Sequence, residues 1–115
     1  MTTDYRAMSV SERRIVERLL GRAFVGVREL RKQLENARVR TIDANGSLDF
    51  ICSSRERASV DRRVPTEAET VDRDGVVIHV LLHVVEGALH ELEIFKEDGS
   101  NVLQPVSPET LSVIE

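Results

Sequence analysis

Val76-Val77-Ile78-His79-Val80-Leu81-Leu82-His83-Val84-Val85 and Ala88-Leu89-His90-Glu91-Leu92-Glu93-Ile94-Phe95-Lys96 are two apolar runs joined across Glu86-Gly87, the pattern of a long β-hairpin. A three-residue loop Val85-Glu86-Gly87, with Gly87 left-handed, pairs Val84 with Ala88 and sets the register. Successive strand residues point to opposite sides. One face then collects Val76, Ile78, Val80, Leu82, Val84, Leu92 and Ile94, which reads as core, with His90 at its boundary near the turn. The other collects His79, His83, Glu91, Glu93 and Phe95, with Val77, Leu81, Val85 and Leu89 between them. A two-residue Glu86-Gly87 turn would pair Val85 with Ala88 and drop Glu91 and Glu93 among the valines, leaving carboxylates without partners in an apolar layer. The three-residue loop is therefore the expected one, with His79 across from Glu93 and Glu91 diagonal to it.

At 115 residues the chain is read as a single domain over residues 1–115, long enough to bury one core without disulfide or metal staples. Residues 1–8 read as a loose terminus, 9–38 as helical, 39–97 as sheet and 98–115 as a tail. Ser9-Val10-Ser11-Glu12 has the spacing of a capping box, and Ile15, Val16, Leu19 and Leu20 give a helical stripe that ends at Gly21. Val27, Leu30, Leu34 and Ala37 repeat the stripe, while Arg28, Glu29, Arg31, Lys32 and Glu35 form a solvated face. Asn45-Gly46 marks a hairpin turn that sets Ile42 against Leu48, with Phe50 on the same side. Residues 53–63 are polar and read as a mobile connecting loop. Residues 67–71 read as a short strand, and Pro108 opens a last helical turn that docks Leu111 and Ile114.

The segments Ile42-Asp43-Ala44-Asn45-Gly46-Ser47-Leu48, His79-Val80-Leu81-Leu82-His83-Val84 and Glu91-Leu92-Glu93-Ile94-Phe95-Lys96-Glu97-Asp98-Gly99-Ser100 resemble a family of small bacterial proteins of unknown function. The resemblance implies a helices-then-sheet domain and brings no activity, cofactor or catalytic residue with it. The expected architecture is α+β, two N-terminal helices packed on a mostly antiparallel sheet of about five strands.

Composition narrows the function classes. Cys52 is the lone cysteine, so no intrachain disulfide forms. No charged-then-apolar leader opens the sequence, and a reducing cytoplasm is the expected compartment. The longest apolar run falls short of the ~20 residues a membrane helix needs. Residues 1–40 hold ten Lys and Arg against five Asp and Glu, and residues 41–115 hold six against fifteen. The arginines at 13, 14, 18, 22, 28, 31, 38 and 40 offer a nucleic-acid surface. Interleaved acids, a pI of about 5.4 and the near absence of stacking aromatics count against that reading.

No cofactor motif is complete, and neither a catalytic set nor a metal-ligand set is expected. The glycines lack phosphate-loop spacing, and Cys52 has no base in sequence to activate it. The surface to test is the mixed face, where Leu81, Glu91, Glu93, Phe95 and His79 give an apolar centre with an acidic rim. The first reading is a non-enzymatic protein-interaction domain of inhibitor or immunity type, with a protein partner or a second copy on this face. The second is a small metal-dependent or acid–base enzyme centred on His79 and Glu93.

Overall fold

The computed structural model describes residues 5–115. Two helices, α1 (Val10–Leu19) and α2 (Val27–Asn36), precede the strands β1 (Arg38–Thr41), β2 (Leu48–Ile51), β3 (Thr66–Val71), β4 (Val77–Val85) and β5 (Ala88–Lys96). A 3-10 turn, Pro108–Thr110, then leads into β6 (Ser112–Val113). The strands form one sheet in the order β1-β2-β5-β4-β3-β6, every neighbouring pair antiparallel. The fold is α+β, with six strands where the sequence suggested about five. The tail supplies the additional one, pairing Ser112 with Glu69 and Val113 with Ala68.

Both helices form where their caps and stripes place them. Ser9 Oγ accepts from the Glu12 backbone N–H at 3.1 Å, and Glu12 Oε1 accepts from the Ser9 N–H at 2.8 Å, the reciprocal pairing that satisfies two orphan helix donors. Ile15, Val16 and Leu19 from α1 and Val27, Leu30 and Leu34 from α2 bury against Val39, Leu48, Phe50, Ala68, Ile78, Val80, Leu82, Leu92 and Ile94. This single layer of branched side chains, removed from water, is the main stabilising element.

The arginines of the helical end act as staples. Arg31 Nε donates to Leu20 O at 2.9 Å and Arg13 to Leu34 O at 3.2 Å, so cations satisfy carbonyls at the ends of both helices, and Arg22 donates to Pro65 O at 2.9 Å just before β3. Arg14 pairs with Glu109 at 2.6 Å. These are the side chains a nucleic-acid surface would need free.

The long hairpin differs from expectation at its bend. The turn has two residues, Glu86 at φ +52° and Gly87 at φ +76°, the double positive φ that matches the twist of the flanking strands. It pairs Val85 with Ala88 and Val84 with Leu89, after which the register slips and His83 faces Glu91. His90 is the extra residue, a β-bulge that stands exposed instead of at the core boundary. One bulged residue reverses the side-chain alternation that the even turn imposed. Leu89 therefore packs in the core, 3 % exposed, while Glu91 and Glu93 return to the face opposite the helices.

Three smaller corrections follow from hydrogen bonding. Ile42 does not face Leu48: Thr41 does, because the Asp43 carboxylate accepts from Asn45 N and Ser47 N and widens the loop; Ile42 is left 41 % exposed. Of the terminus expected to be loose, residues 1–4 lie outside the described residues, but Arg6 exchanges both backbone hydrogen bonds with Val39 at 2.8 Å. Leu111 docks as expected, whereas Ile114 stays 39 % exposed because its N–H is drawn to Glu67 O at the sheet edge.

Candidate functional site

Packing both helices on one side leaves the opposite side of the sheet open. Its rows run across the strands. Arg40, Asp49, Glu91 and His83 lie in one row; Glu93, Leu81 and Glu67 in the next; Phe95, His79 and Glu69 in the third. All five residues singled out from the sequence, Leu81, Glu91, Glu93, Phe95 and His79, share this face. Their pairing is different. His79 sits across from Phe95, not Glu93, so the acid–base pair expected between His79 and Glu93 does not form, and the enzyme reading centred on it loses its geometry. The even turn and the one-residue bulge each move the register by one, so His79 meets Phe95 two residues beyond Glu93.

Each histidine finds another partner. The His79 ring stacks on Phe95 with centroids 5.0 Å apart and planes 22° apart, and its Nε2 lies 3.0 Å from Glu97 Oε1. His83 reaches diagonally to Glu93, Nε2 to Oε1 2.8 Å, while its Nδ1 accepts from Arg63 Nε at 2.8 Å. A nitrogen that accepts from a guanidinium carries no proton, so the ring is neutral with its hydrogen on Nε2, donated to Glu93. Arg63 comes from the polar stretch expected to be mobile. That stretch is pinned: Ala58 N donates to Gly87 O at 2.9 Å and Val84 N donates to Arg63 O at 2.7 Å.

The electrostatics of the face are unbalanced. Arg40 pairs with Asp49 at 2.8 Å, but the half-buried carboxylates of Glu67, Glu69 and Glu91 take no hydrogen bond or ion pair among the described residues. Around them Phe95, Ile51 and Val71 are 37, 49 and 58 % exposed. Elsewhere, an open cleft of about 680 Å³ beside α1 is lined by Arg14, Arg18, Arg22 and Glu109 among others. Its arginines are engaged as staples. Cys52 is half-buried, and burial pushes its thiol up, partly offset by the charge of Arg57, the opposite of what a nucleophile needs.

Sequence reasoning did not find Arg63 or the His83–Glu93 contact. The signal available was a conflict: Glu86-Gly87 favours an even turn, and the placement of the acids favours an odd one. A single bulge reconciles the two.

A family model described as a domain of unknown function, DUF6984, matches residues 5–106. The chain belongs to the DUF6984 family. The DUF6984 match takes in both helices and β1 to β5, and ends before the 3-10 turn and β6. No curated protein and no solved structure matches the chain. No described helix is long and apolar enough to cross a membrane.

Proposed function

We propose that this chain is a non-enzymatic binding domain whose open sheet face docks a basic surface of another protein, in the manner of an inhibitor or immunity-type protein. The observation that carries the reading is the set of carboxylates without a partner among the described residues, Glu67, Glu69 and Glu91, around the stacked His79 and Phe95. Half-buried acids without partners are costly in the free chain, and a partner's Lys or Arg supplies the missing charge. The exposed Phe95, Ile51 and Val71 give the apolar contact area that anchors such a patch.

The test pairs capture with reconstitution. Wild-type protein is used to isolate binding partners from the native host, and each is then purified and titrated against Phe95→Ala, Glu69→Lys and the helix-side control Glu35→Lys. The reading requires a partner with a basic contact surface whose affinity falls at least tenfold for Phe95→Ala and Glu69→Lys, falls with salt, and is unchanged by Glu35→Lys. A partner bound equally well by all three variants, or one bound through the helices, refutes it.

A further inference from the structure

We propose that His83, Glu91 and Glu93 bind one divalent transition-metal ion, Zn2+ in the first instance, and that Arg63 is the group this ion displaces. One ligand atom from each of the three residues lies within 4.8 Å of the other two. All three side chains stand on neighbouring positions of the paired strands β4 and β5, so no loop has to order for the set to assemble.

The bulge at His90 creates the grouping. With the hairpin's even turn and no bulge, Glu91 and Glu93 would point into the core. With the bulge, Glu91 lies directly across from His83 and Glu93 one step along the same face. Bulges that re-aim side chains recur beside functional sites. Glu91 supplies the second observation: its half-buried carboxylate has no partner among the described residues, although a neutral imidazole and two acids meet there.

The donor set selects the ion. One imidazole nitrogen and two carboxylates suit Zn2+ and its first-row neighbours, whereas Ca2+ needs six or more oxygens and Mg2+ a near-octahedral oxygen shell. Tetrahedral ligands at about 2.0–2.1 Å from zinc stand about 3.4 Å apart. His83 Nε2 and Glu93 Oε1, now hydrogen-bonded at 2.8 Å, part slightly to reach that spacing, and rotation of the Glu91 carboxylate about its side-chain torsions brings the third donor in. Water completes the fourth position.

Arg63 now occupies the imidazole. Its Nε donates to Nδ1 and so holds the ring hydrogen on Nε2. For Nε2 to coordinate zinc, that hydrogen must move to Nδ1, where the guanidinium cannot remain as a donor. Metal entry therefore shifts the tautomer without net proton release from the ring and expels Arg63. The guanidinium gives up its bond to Nδ1 as the ion takes Nε2. This inference does not depend on the docking of a protein partner.

The test is calorimetric titration of the full chain with ZnCl2 at pH 7.5, supported by Co2+ absorption spectra. Wild type should bind one Zn2+ per chain in the micromolar range. Glu91→Gln and His83→Ala should each weaken binding at least tenfold, Arg63→Gln should tighten it severalfold, and His79→Ala and His90→Ala should leave it unchanged. Absence of binding to wild type up to millimolar Zn2+ overturns the proposal. So does equal binding by Glu91→Gln and wild type, which would mark an adventitious ion only, and weaker binding by Arg63→Gln would overturn the displacement. If His83→Ala fails to fold, the near-isosteric Glu91→Gln and the exposed Arg63→Gln decide the matter.

Discussion

Lys96 and Asp72 form an ion pair with no solvent exposure of either side chain, Nζ to Oδ2 3.1 Å. Lys96 falls on the core-facing alternation of β5 and is 2 % exposed, so its ammonium has to be satisfied from within. Asp74 accepts from it at 2.6 Å, and Asp72 also accepts from Leu103 N at 2.7 Å and Arg73 N at 2.9 Å. The cluster ties the end of the long hairpin to the β3–β4 turn and to the tail.

This cluster makes stability depend on pH in a fixed direction. Burial works to raise the Asp72 carboxyl, but the Leu103, Arg73 and Lys96 hydrogen bonds outweigh it and hold it below the ordinary range. Asp74 is held low chiefly by its bond to Lys96, and Lys96 is held high chiefly by Asp74. The aspartates therefore stabilise the fold above their unfolded value of about 3.9, and that contribution is lost as pH falls through their lower folded values. Lys96 contributes fully below its unfolded value of about 10.4, and loses its contribution as pH rises through the higher folded one. In urea unfolding, Lys96→Met should be less stable than wild type at pH 7, with the gap narrowing toward pH 2.5. A gap that stays constant with pH would contradict this.

Gln33, fully buried on α2, bridges helix to hairpin. Its Oε1 accepts from Leu89 N at 2.9 Å, and its Nε2 donates to Gly87 O at 2.8 Å and Glu56 O at 3.0 Å. Gly87 O keeps a second bond from Ala58 N, but Leu89 N next to the bulge depends on Gln33. Gln33→Leu should destabilise by about 1–3 kcal/mol and speed hydrogen exchange at Leu89. An exchange rate at Leu89 equal to wild type would show that the amide has another partner.

Two glycines separate conformational strain from steric contact. Gly75 and Gly87 both have positive φ, +86° and +76°, but a Cβ on Gly75 would meet nothing within 4 Å, whereas one on Gly87 would lie 2.8 Å from Ala58 O and from Arg57 Cβ. Gly75→Ala should cost about 1–2 kcal/mol from the left-handed backbone alone. Gly87→Ala should cost clearly more and loosen the 53–63 segment, read as faster proteolysis within it. Equal losses of melting temperature for the two variants would count against the packed turn.

Cys52 should react slowly with thiol reagents, because burial raises its thiol and leaves less thiolate at neutral pH. Its alkylation rate at pH 7.5 is expected to lie well below that of a free cysteine, and to rise to the free value on unfolding. Fast labelling of the folded chain would contradict the burial.

The helices and the class of the fold were legible because local signals agreed with each other. The Ser9–Glu12 box, the Val27–Leu30–Leu34 stripe and the alternation along β4 each point the same way as the tertiary packing. The short strand β6 was not legible, since two residues beside Pro108 carry no periodicity of their own. The residues of the candidate face were legible, but their partners were not: local sequence cannot distinguish an odd loop from an even turn plus a bulge, and both put the acids outward. Gln33 and Lys96 were missed for a different reason. Their polar ends are satisfied by groups distant in sequence, so nothing local marks them as buried.

The unpaired His90 also constrains how this hairpin can change length. Deleting that residue alone would turn Glu91 and Glu93 inward and expose Leu92 and Ile94, so a one-residue deletion would invert β5 from Glu91 onward. Removing or adding two residues between Val85 and Glu91 leaves every later side chain on its own side. Viable length variants at this bend should therefore differ from this chain by even counts, a rule that comparison of natural hairpin lengths can check.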